Sequence, residues 1–183
     1  MKGRANMAGM TYLNVSLEEL QIELEHLIVK HQGIINRIEE KCKINFNFEV
    51  NGLNIYKPYD TMACAGRDNE ELEVFFLLHH IQPYLNGIVT TRYERLKRKA
   101  MTVFLEFILL HELKHLDQFC RGMTMEEYKE IHSYKDNPYE IEANSFAMNE
   151  IEEDSKSNGD LIKFLLGNNI NNKNEDEWIQ KIN

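Results

Sequence analysis

The stretch from Met101 to Leu116, Met-Thr-Val-Phe-Leu-Glu-Phe-Ile-Leu-Leu-His-Glu-Leu-Lys-His-Leu, is apolar nearly all the way round a helix. A helix of that kind belongs in the middle of a domain or in a membrane. A membrane span needs about 18 or more uninterrupted apolar residues, and the best candidate, Thr102 to Leu110, is cut by Glu106. Other elements of the same chain must therefore wrap this segment. With 183 residues and 43% hydrophobic content, the chain can supply one domain with a real core. The helix is expected from about Thr91 to Arg121, with Gly122 as its C′ stop.

The buried segment ends in a polar cluster, His111-Glu112-Leu113-Lys114-His115. Histidines at i and i+4 lie one above the other on a helix, so both rings can reach a single ion. Glu112 sits one step round, placed to hold a water on that ion without ligating it. A chain with seven histidines would contain roughly 0.03 such motifs by chance. Two histidines and a glutamate at the end of a buried segment need a compensating partner, and zinc is a suitable one. Catalytic zinc takes a third protein ligand and leaves one position open. Asp136-Asn137-Pro138 announces a further helix, from near Tyr139 to about Glu153. On it Glu140, Ala143, Asn144 and Ala147 share one face, and the small residues allow close approach to the central helix. Glu140 is the candidate third ligand; Glu142, on another face, is the alternative.

The rest of the chain reads as an α+β domain. Ser16-Leu-Glu-Glu19 is a capping box, followed by an amphipathic helix to about Lys43. Ile44 to Val50 and Leu53 to Tyr56 flank Asn51-Gly52, which predicts a hairpin. Pro58 to Asn69 reads as loop, and Glu71 to Leu78 as a third strand or a short helix, ended by Pro83 and Gly87. Thr124-Met-Glu-Glu127 opens another capped helix. A polar break at Ser155 to Asp160 precedes a short helix, Leu161 to Leu166. Residues 1–15 are expected to be a flexible N-terminus, 16–170 one domain and 171–183 a frayed tail, with Trp178 tucked back.

The run from His111-Glu112-x-x-His115 to Glu140-x-x-Ala143-Asn144-x-Phe146-Ala147 resembles the glutamate zincins, and within them the ImmA/IrrE-type metallopeptidase domains of bacteria, phages and mobile elements. The resemblance covers about Phe104 to Ala147. It implies a zincin-like fold: a small antiparallel or mixed sheet packed on the central helix, with several further helices. It implies zinc at His111, His115 and Glu140, Glu112 as general base, and Asn144 supporting His111. The implied activity is that of a zinc metalloendopeptidase, in which Glu112 takes a proton from zinc-bound water and returns it to the leaving amine. An oxyanion donor is also needed; His132, Tyr134, Tyr139 and Arg121 are near enough in sequence. His79-His80 could line the cleft but reads better as a structural pair. Lys114 stands where such domains often carry a small residue.

Charge narrows the partners. A net charge of −9 argues against gripping phosphate backbones, and the run Arg92, Arg95, Lys97, Arg98, Lys99 reads as a solvated helix start. The expected partner is a protein or peptide substrate, with neither nucleic acid nor membrane. Cys42, Cys64 and Cys120 are odd in number and form no CxxC, and Met1 to Thr11 shows no apolar leader, so a cytoplasmic setting with reduced thiols is expected. The rival class is a zinc-binding scaffold that acts by contacting a partner, as a regulator or inhibitor would. An intact Glu112 favours the enzyme.

Overall fold

The computed structural model describes residues 14–51, 61–68, 71–131 and 133–182. The expected second hairpin strand, Leu53 to Tyr56, lies outside them. α1 (Leu17–Lys30) opens on the expected capping box of Ser16 and Glu19. The helix expected to run on to Lys43 instead breaks at His31 (φ −96°, ψ 19°) and resumes as α2, Gln32–Glu39. The reason lies across the core. Lys30 Nζ and His31 Nε2 both reach Oε1 of Glu106 at 2.7 Å, and Glu106 is 1% exposed. A buried carboxylate needs such partners. Successive residues of a continuous helix point about 100° apart, and the break lets both aim at one oxygen.

Three strands form one mixed sheet in the order β1-β3-β2, with β1 at Ile44–Glu49, β2 at Ala63–Asp68 and β3 at Glu71–Leu77. β1 runs parallel to β3, from Ile44 opposite Leu72 to Glu49 opposite Leu77. β2 runs antiparallel to β3, from Ala63 opposite Phe76 to Asp68 opposite Glu71. β2 lies in the stretch expected as loop. Its sequence, Ala-Cys-Ala-Gly-Arg-Asp, has no β-branched or aromatic residue, so only tertiary context makes it a strand. β3 ends at Leu77 and α3 (Leu78–Ile88) follows at once, so Pro83 and Gly87 lie within or near the end of a helix rather than closing a strand. His79 and His80 begin that helix and donate through Nδ1 to the carbonyls of Glu49 (3.2 Å) and Thr61 (2.8 Å). The pair is structural, pinning the end of β1 and the approach to β2.

α4 (Glu94–Cys120) is the expected central helix, and almost every residue from Ala100 to Leu116 is buried. Gly122 follows it at φ 103°, a conformation that favours glycine. α5 (Met125–Glu130) carries the second capping box, from Thr124 and Glu127. Asn137 caps α6 (Pro138–Asp154), accepting from the Tyr139 amide at 3.0 Å. The polar break after α6 is narrower than expected: Ser155 alone (φ −160°, ψ 122°) separates it from α7, Lys156–Leu165. α7 packs so closely that a Cβ on Gly159 would stand 2.3 Å from Cγ of Glu152.

The segment expected as a frayed tail contains a helix. Ile170 pairs with Val89, and α8 (Glu175–Lys181) docks beside the start of α4. Glu175, 1% exposed, accepts from Thr91 Oγ1 (2.8 Å) and the Arg92 amide (3.0 Å). Trp178 is indeed tucked in, its ring 4.9 Å from that of Phe164. Arg92, Arg95 and Arg98 of the basic run are exposed, and three of its members also form ion pairs within the chain: Arg92 with Glu175 and Asp176, Lys97 with Glu19 and Arg98 with Glu94. Among the described residues no helix is long and apolar enough to cross a membrane. The fold is α+β, a small mixed sheet with helices gathered round α4.

Candidate metal centre

α4 and α6 lie against each other through Ala143 and Ala147, both fully buried, as their small size permits. That contact brings Glu140 to the two histidines. Nε2 of His111 is 3.0 Å from Nε2 of His115, and each of these nitrogens is 3.3 Å from an oxygen of Glu140. Among the described residues this is the one His/Cys/Asp/Glu group whose ligand atoms converge, all within 4.8 Å of one another. Exposure is 8% for His111, 7% for His115 and 2% for Glu140.

The rings are held from behind. Asn144 Oδ1 accepts from Nδ1 of His111 at 3.1 Å, as expected of that residue. Gln118, which the sequence reading passed over, accepts from Nδ1 of His115 through Oε1 at 2.8 Å. Its amide nitrogen donates to the Tyr139 carbonyl and to Glu142, each at 2.9 Å. Two acceptors on that nitrogen fix which end of the amide faces the ring, so Nδ1 of His115 must carry the hydrogen. The Nε2 atoms of both histidines then face each other and the Glu140 carboxylate. A buried group of this kind demands a positive partner, a proton or a metal ion, and its geometry could hold the latter.

Zinc fits that demand. Ligand bonds of about 2.0 Å in a tetrahedron place neighbouring ligand atoms ~3.3 Å apart, which matches the separations found here. Two imidazoles and one carboxylate are also a donor set typical of catalytic zinc. Burial opposes charge on His115, but the Glu140 hydrogen bond, the Glu112 charge and Gln118 together lift its pKa above the usual imidazole value. A metal ion would compete with that proton.

Glu112 faces the same space, 6% exposed, and a backbone hydrogen bond from Ala65 of β2 holds its carboxylate. Burial raises its pKa above the ordinary carboxylate range, more than the neighbouring histidines lower it. That is the direction a general base or acid near neutrality needs. Glu142, the alternative ligand, is engaged elsewhere. It accepts from Arg121 Nη2 (2.8 Å) and Gln118, and pairs with Lys114 at 3.0 Å. Burial would raise its pKa, but those bonds outweigh it and push it down to about 2. Lys114 thus has a role, tying α4 to α6 through Glu142 and bonding Asp117 at 2.9 Å.

Of the oxyanion donors named from sequence, Arg121 is taken by Glu142 and Asp117, and neither it nor Tyr139 lines the cleft. His132 and the Tyr134 side chain lie outside the described residues. The phenol at the site is Tyr128 of α5, which donates to Glu140 and stands edge-on to His115 with ring centroids 6.0 Å apart. Burial, then the Glu140 contact, raises its pKa, keeping it a protonated donor. The available signal was its place on a capped helix between the two ligand-bearing helices. The whole group opens on a cleft of about 610 Å³ between α4, β2 and α5. Comparison of the chain with known protein families, curated proteins and solved structures finds no match.

Proposed function

We propose that this protein is a zinc-dependent metalloendopeptidase of the glutamate-zincin kind, holding zinc through His111, His115 and Glu140 and using Glu112 as general base. The observation that carries the reading is the convergence of two Nε2 atoms and a carboxylate, each ring held from behind, beside a buried glutamate that takes no part in ligation. A purely structural site has no use for that glutamate.

Bound zinc would act as a Lewis acid that polarises a peptide carbonyl and makes water a nucleophile near neutral pH. The chain's own groups do the rest. Glu112, its pKa raised by burial, accepts the proton from attacking water and delivers it to the departing peptide nitrogen. The Ala65 amide keeps that carboxylate aimed into the cleft. Tyr128 offers its hydroxyl to the oxygen on which charge develops, leaving Glu140 as it does so. Asn144 and Gln118 keep both rings in the ligating tautomer.

Glu112→Gln is the deciding variant, because it keeps the shape and removes the proton acceptor. Purified wild type should hold about one zinc per chain by metal analysis and cleave peptides; the variant should hold the same zinc and cleave none. Zinc-free wild type under zinc-replete conditions would refute the site. A cellular effect that survives Glu112→Gln would refute proteolysis and leave a partner-binding scaffold.

A further inference from the structure

The walls of the cleft differ from its floor. The floor is charged and polar, but on α4 the wall before His111 is Phe104, Phe107 and Ile108, and beyond His115 it is Phe119, followed by Met123 just past the helix end. From Phe104 to Phe119 the wall runs ~22 Å along the helix at about 1.5 Å per residue. That is the length of roughly seven residues of extended chain at about 3.3 Å each. The rim continues the pattern. Tyr84, Met125 and Leu166 line the cleft and are 36%, 37% and 47% exposed. They are three of the seven large apolar side chains left exposed among the described residues, and these three gather at one opening, the other four lying outside the cleft. Such concentration marks a surface awaiting an apolar partner. No Lys or Arg is among the described lining residues, whose carboxylates are Glu112 and Glu140. Away from the metal and its ligands, an acidic side chain would find no Lys or Arg to pair with there.

We infer that the site takes an internal segment of polypeptide carrying bulky, uncharged apolar side chains on both sides of the residue pair at the metal. This rests on the hydrolytic reading for the fate of that segment, but not for its binding. Such side chains are normally hidden in folded proteins. The substrate is therefore a segment exposed by flexibility or partial unfolding, not a folded surface.

Binding and cleavage are tested separately. Zinc-loaded protein is titrated with acetohydroxamate and with hydroxamates bearing an isobutyl, benzyl or carboxyethyl side chain. Burying one such apolar group should tighten binding by roughly 10- to 100-fold over acetohydroxamate; the carboxyethyl compound should gain nothing. Leu166→Glu and Tyr84→Ser, both at the half-exposed rim, should shrink the apolar-to-acetohydroxamate ratio several-fold in protein whose zinc content is unchanged. Two variants at different points of the rim guard against one of them failing to fold. Fluorogenic peptides with Leu, Phe or Met on both sides of the scissile bond should be cut faster than those with Asp, Glu or Gly. Equal hydroxamate affinities, a gain with carboxyethyl, or faster cutting of acidic peptides would overturn the inference. An intact hydroxamate preference with no peptide cleaved would uphold it and defeat the hydrolytic reading instead.

Discussion

Gln118→Ala removes three hydrogen bonds at once: the acceptor for His115 Nδ1 at 2.8 Å and the donors to Tyr139 O and Glu142, both at 2.9 Å. Without the acceptor, the proton of His115 is free to move to Nε2, the nitrogen that must carry a lone pair towards the metal. Loss of such a support lowers metal affinity by roughly 10- to 100-fold, which is about 1.4 to 2.8 kcal/mol. The donors to the Tyr139 carbonyl and to Glu142 go as well, and a lost hydrogen bond of this kind costs about 0.5 to 1.5 kcal/mol of stability. The two losses separate in the measurement. Competition with a calibrated zinc chelator reads the first, and denaturant unfolding of the metal-free protein reads the second. Gln118→Glu sharpens the test, since its carboxylate still accepts from His115 but turns a like charge towards Glu142. It should restore metal affinity towards wild type while the metal-free fold stays weakened. Equal zinc affinity in wild type and Gln118→Ala would refute the reasoning, and so would a loss in both variants of the same size.

Glu140→Ala should strip zinc at a chelator concentration that wild type withstands, while Glu142→Ala should retain it and lose some stability; the reverse result would move the third ligand half a turn along α6. Glu106→Gln should weaken the fold near neutral pH and flatten its acid dependence. Burial works against the Glu106 charge, but the His31 and Lys30 hydrogen bonds hold its pKa below the ordinary 4.5. Its contribution is therefore full above that value and is lost as pH falls towards the lower folded one. Urea unfolding of wild type and variant between about pH 7 and pH 3 checks this, and parallel curves would exclude Glu106 as a source of acid sensitivity.

What could be read from the sequence follows the range of the physics involved. The central helix, the caps at Ser16 and Thr124, the helix opened by Pro138 and the Gly122 stop are local signals and lie where expected. The meeting of His111, His115, Glu140 and Asn144 was also legible, because helical spacing fixes which side chains share a face and small residues mark a close crossing. β2 was not legible. Ala-Cys-Ala-Gly-Arg-Asp has no strand preference of its own, and its state is decided by β3 beside it and α4 beneath. The break at His31 was hidden because the apolar spacing runs through it unchanged, and its cause lies 75 residues away at Glu106. Tyr128 and Gln118 reach the centre by chain folding and rotamer, which spacing does not disclose. Gln118 does stand three residues beyond His115 on the same helix, and that interval could have raised it as a candidate.

The carboxylate of Glu106 has a consequence for how many ways the chain can assemble. Two helices joined by rows of leucine, isoleucine and phenylalanine can slide past one another by a turn, about 5.4 Å, and still find apolar surface to cover. Slippage of α1 and α2 along α4 would bring no such indifference here. Only one setting delivers both Lys30 and His31 to Glu106, and every other leaves a charge stranded in the core. The cluster of Lys30, His31 and Glu106 works as an index mark on an otherwise greasy rail. It selects one alignment of the N-terminal helices against the helix that carries His111 and His115.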